Sequence, residues 1–118
     1  MEQVRITLVG GLDTRDAAMV AAETAVRDAL VARCLAAAEA GNGDALFDLA
    51  VAFSTGSHGV GVDLVEAHKW FNLAAVNGHE DAAQCRADVA DEMTAREIAE
   101  AQRRAREWLR ASPARRVA

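Results

Sequence analysis

One short pattern occurs twice in this chain, 37 residues apart, and a period of that size restricts the possible folds more than any other feature. Ala37-Ala38-Glu39-Ala40-Gly41-Asn42-Gly43-Asp44-Ala45 and Ala74-Ala75-Val76-Asn77-Gly78-His79-Glu80-Asp81-Ala82 both read Ala-Ala-x-x-Gly-x-x-Asp-Ala. Self-similarity at a spacing of about 20–50 residues is the mark of stacked repeats. Each part of the pattern has a physical sense. Paired alanines let helices approach closely, the glycine supplies a left-handed residue that ends one helix, and Asp-Ala opens the next. The expected fold is all-α, with antiparallel helix pairs stacked as a short superhelix.

Composition agrees with that expectation. The chain has 118 residues, enough for one small domain, and 52% of them are hydrophobic. Tyrosine is absent and the single proline is Pro113, so helices have few breakers. No apolar run approaches the ~18–20 residues that span a bilayer, and no membrane insertion is expected. Nor does the N-terminus read as a secretory signal, which would set a basic segment before an apolar core. Cys34 and Cys85 each lie inside an apolar helical pattern and read as free thiols, which points to the cytoplasm.

Along the chain, residues 1–12 form an extension in which Val4, Ile6 and Leu8 alternate with Arg5 and Thr7, the pattern of a short β-strand. A helical domain over 13–111 follows, and an Arg-rich tail over 112–118 ends the sequence. The first helix runs to about Ala40 with Met19, Val20, Val26, Leu30, Val31 and Leu35 as its apolar face, and its length suggests a break near Arg27–Asp28. The second, from about Asp44 to Ser54, turns Leu46, Phe47, Leu49, Ala50 and Phe53 inward. The third starts behind Asp63, with Val65, Trp70, Phe71 and Leu73 inside and Glu66, Lys69 and Asn72 outside. The fourth carries Ala83, Cys85, Ala87 and Val89. Thr94 and Glu97 form a capping box for the fifth, which presents Ile98, Ala101, Ala105, Trp108 and Leu109.

Residues able to do chemistry do not converge. Gly56-x-x-Gly59-x-Gly61 follows a helix, not a strand, and lacks a phosphate-binding lysine, so it reads as a turn. His58, His68 and His79 share no metal-ligand spacing and read as surface or turn residues. No serine stands in a nucleophile elbow, and Asp88, Asp91 and Glu92 read as a solvated face. No cofactor, metal or catalytic residue is expected.

From Ala45 onward the residues Ala45, Leu49, Phe53, Gly56, Gly59-Val60, Asp63, Ala67, Trp70, Ala74-Ala75, Gly78 and Ala82 follow one another in order. This segment, 45–82, resembles one unit of the Sel-one-like repeat family, relatives of the tetratricopeptide repeats. With the partial earlier copy and the last helices, the resemblance extends over residues 30–111. Phe53 stands where the family has tyrosine, Ala50 where it has glycine, and the Gly56–Gly59 turn is one residue longer. The Ala50 difference implies a slightly wider contact between paired helices. The resemblance implies that the conserved-pattern residues, Trp70 among them, pack between helices.

The resemblance also implies a non-catalytic adaptor or interaction module whose partner is another protein or a second copy of this chain. An accessory subunit of a larger complex, which needs no catalytic residues of its own, is the alternative. Candidate partner contacts are Val4, Ile6 and Leu8, whose strand has no visible mate, and Trp108, Arg104 and Arg110 at the end of the stack. Residues 1–93 hold six basic and fifteen acidic side chains, whereas 94–118 hold seven arginines and three glutamates. The arginines favour an acidic protein surface over nucleic acid, because Glu97, Glu100 and Glu107 interrupt them and the whole chain carries −5.

Overall fold

The structure is a computed structural model and describes residues 14–111. The strand reading of Val4, Ile6 and Leu8 and the Arg-rich tail lie outside the described residues. Five helices follow in order: α1 (Thr14–Glu39), α2 (Ala45–Thr55), α3 (Leu64–Val76), α4 (Ala82–Ala90) and α5 (Ala95–Ala111). No strand occurs among the described residues.

The two copies of the sequence pattern form two turns with the same hydrogen bonds. After α1, the Gly41 N–H donates to Ala38 O (3.1 Å) and the Asn42 N–H to Ala37 O (2.9 Å). After α3, Gly78 N–H donates to Ala75 O (3.0 Å) and His79 N–H to Ala74 O (3.0 Å). This pairing closes the last carbonyls of a helix and needs a left-handed residue, supplied by Gly41 (φ 104°) and Gly78 (φ 92°). The aspartates that follow act differently from the expectation. Neither Asp44 nor Asp81 caps its helix through its side chain. Their backbone N–H groups instead donate to the side chains of Asn42 (Oδ1, 3.0 Å) and His79 (Nδ1, 3.2 Å).

Between the two turns, the α2–α3 loop is held at both ends. Gly56 N–H closes α2 onto Ala52 O (2.8 Å), and Asp63 N–H reaches back to Phe53 O (2.9 Å). Asp63 then caps α3 by accepting the Glu66 N–H at Oδ1 (3.1 Å).

Helix α3 is the centre of the packing and contacts α2, α4 and α5, while α1 leans on α2. The reason lies in its sequence, where Ala67, Trp70, Phe71, Leu73 and Ala74 leave little of the circumference polar. Leu46, Leu49 and Phe53 from α2, Leu30 from α1, Val60 from the α2–α3 loop, Val89 from α4 and Ala105 from α5 join the buried cluster. Phe47 meets Phe71 edge-on at 5.4 Å.

Three further expectations, all about helix faces, differ from the structure. Helix α1 is continuous through Arg27–Asp28, and of its apolar face only Leu30 is buried; Met19, Val20 and Val26 are 56%, 61% and 42% exposed. With 26 residues against the 11 of α2, α1 overhangs its neighbour. On α4 the buried residues are Ala82 and Val89, seven apart on one face, while Ala83 and Ala87 point outward. Glu66, expected outside, is buried because α5 covers it.

Candidate interaction surface

The described residues contain no group of three His, Cys, Asp or Glu side chains able to hold a metal ion, and none of their helices is long and apolar enough to cross a membrane. The polar side chains gather at three places instead.

The first joins α5 to α3. Glu66 receives Trp70 Nε1–H (3.1 Å) and Lys69 Nζ (3.3 Å) on one oxygen and Arg104 Nη1 (2.8 Å) on the other. Burial pushes its pKa up, but the Lys69 charge and the hydrogen bonds from Arg104, Trp70 and Lys69 outweigh burial and hold the carboxyl below its usual range. The Lys69 ammonium also sits 4.2 Å from the Trp70 ring centroid, and Trp108 meets Trp70 edge-on at 5.7 Å. Ala101 and Ala105 let α5 lie close beneath this cluster. On the outer side of α5, hydrogen bonds from Arg103 and Arg104 pull Glu100 down to about 2. Of the candidate contact residues, Arg104 and Trp108 therefore meet α3 side chains. Arg110 stands on the last turn of α5.

The second place is an open cleft of about 480 Å³ between the two equivalent turns, lined by Gly43, Asp44 and residues 77–81. His79 crosses it, stacked on Phe47 with ring centroids 4.1 Å apart and Nε2 3.2 Å from Asp44 Oδ1.

The third is the overhang of α1. Residues 17–26 are exposed on every side of the helix. At its base, a groove of about 180 Å³ runs between Val20, Glu23, Thr24 and Arg27 on α1 and Gly61, Val62 and Asp63 of the α2–α3 loop. Arg27 fixes the groove by pairing with Asp63 (3.0 Å) and lying 5.5 Å from the Phe53 ring centroid. Val62 adds 62% exposed apolar surface beside Val20.

Of the repeat residues, Ala45, Leu49, Phe53, Ala67, Trp70, Ala74 and Ala82 are all buried, Ala75 and Gly56 are half-buried, and Gly59 and Gly78 lie exposed in turns. Two polar residues were misplaced by sequence reasoning. His68, expected at the surface, is 3% exposed, and its Nδ1 has no partner among the described residues. Burial, and then the charge of Arg86, lower its pKa. For Glu66 a local signal existed: Lys69 and Trp70 follow at three and four residues, where helical side chains meet. Nothing local announced Arg104.

Compared with known proteins, the chain matches no family model, no curated protein and no solved structure.

Proposed function

We propose that this chain is a non-catalytic protein-interaction module, a small adaptor of the Sel-one-like repeat type, and that its partner is held along the α1 overhang. The observation that carries this reading is the ten-residue stretch 17–26, every residue of it exposed, including Met19, Val20 and Val26. A helical stretch of that length gains little stability by itself and is held in proteins mainly by packing of one face. The identical hydrogen bonds of the two turns support the repeat reading. A cytoplasmic setting fits it too, since Cys34 and Cys85 are free thiols whose pKa values burial raises.

The test is site-specific photo-crosslinking of the full chain in its native cell. A photoreactive residue at Val20 should capture a protein, and the same residue at Gln102 on the outer face of α5 should not. Sedimentation of the purified chain then separates a second copy from a different protein. Equal labelling at both positions, together with a monomer at every concentration, would remove the adaptor reading.

A further inference from the structure

The two equivalent turns differ in one chemical respect. Each uses a side-chain acceptor to hold the backbone N–H of the aspartate two residues on, but the first uses the amide oxygen of Asn42 and the second the imidazole Nδ1 of His79. An amide oxygen accepts at any ordinary pH, whereas an imidazole nitrogen accepts only while it carries no proton. Because the Asp81 N–H donates, Nδ1 is the bare nitrogen. Nε2 therefore carries the ring proton and lies 3.2 Å from Asp44 Oδ1. One neutral ring thus holds the start of α4 by a hydrogen bond and sits beside Asp44 at the start of α2, lying on Phe47 with an interplanar angle of 3°.

The geometry points to a proton-sensitive joint at His79: protonation of Nδ1 unlatches the start of α4 and leaves the start of α2 closed. The step is one proton taken from solvent. It occupies the lone pair that accepted the Asp81 N–H, so that bond breaks and two donors face each other. The charged groups around the ring are Asp44 from the start of α2, and Glu80 and Asp81 from the start of α4; the cleft has no Lys or Arg in its lining. These carboxylates attract the new cation, but the ring must turn before Nδ1–H can reach one of them. The open cleft gives it room. Asn42 has no equivalent response, so the two ends of the cleft part company as the pH falls.

Nitrogen-15 NMR of the full chain from about pH 8 to about pH 5 contains its own control, because Asp44 and Asp81 are equivalent amides with different acceptors. On acidification the Asp81 amide should shift and lose roughly fivefold of its protection against hydrogen exchange, with the midpoint of the His79 ring signals. The Asp44 amide should keep its protection. His79→Asn installs the acceptor of the first turn and leaves His68 in place, and it should abolish the Asp81 response. An Asp81 response that persists in that variant would overturn the joint. So would a wild-type Asp81 amide that stays protected while the His79 ring titrates, an outcome that needs no variant at all.

Discussion

Gly78 and Glu66 show how single residues carry this structure in different ways. A methyl group added at Gly78 would meet nothing within 4 Å, so the backbone angle alone, φ 92°, sets the penalty. Gly78→Ala should lower stability by about 1 kcal/mol in urea unfolding, the cost of a left-handed alanine. Gly43 is just as open but does not have positive φ, and Gly43→Ala should be neutral or slightly stabilising. Equal effects of the two changes would show that the turn relaxes freely. Glu66 acts through partners. Glu66→Ala strands the buried Trp70 N–H and takes away one carboxylate from Arg104, which keeps Glu100 and is 39% exposed. The expected loss is about 2 kcal/mol, most of it from the indole, with Glu66→Gln in between because its amide oxygen still accepts one bond. A Glu66→Gln variant as unstable as Glu66→Ala would place the weight on charge instead.

Among the elements, α1 is two structures in one helix. Its second half is pinned by Leu30, Val31, Cys34 and Leu35, and residues 17–26 before it are exposed. A proline breaks either half locally, at about 3 kcal/mol in a helix interior, but only the pinned half transmits the damage. Ala22→Pro should reduce far-ultraviolet helicity and leave the near-ultraviolet signal of Trp70 and Trp108 and the urea midpoint unchanged. Leu35→Pro should abolish all three. If Ala22→Pro also moved the midpoint, the overhang would belong to the cooperative core.

Over the whole molecule, two buried titratable groups make stability fall with acid, by opposite logic. His68 is held below its ordinary pKa, so as the pH drops below about 6.5 the unfolded chain binds the proton first and folding weakens until the folded value is passed. Glu66 is also held low, but as an anion. Its contribution is complete above the unfolded carboxyl value of about 4.3 and is lost as the pH falls through the folded one. Urea midpoints against pH should therefore show a plateau above neutrality, one decline below about pH 6.5 and a second below about pH 4.3. His68→Gln should flatten the first decline, whatever its own cost; a decline of unchanged slope would assign that proton to another group.

What the sequence determined by itself is local in the chain. The helix ends are of this kind: Gly41 and Gly78 close α1 and α3, and Thr94 and Glu97 exchange their capping bonds at 2.8 and 3.1 Å, because every partner lies within a few residues. The fold class followed from the same spacing. What only the tertiary structure decided is which faces meet. Glu66 is inside because Arg104, 38 positions away, brings a guanidinium to it, and spacing along α3 could not reveal that. Met19 and Val26 are outside because α2 stops short, a fact about the neighbour and not about α1. His79 lies against Asp44 and Phe47 only because packing sets its turn beside the first one. Helix caps are written in short-range geometry, whereas burial depends on which distant segment arrives to exclude water.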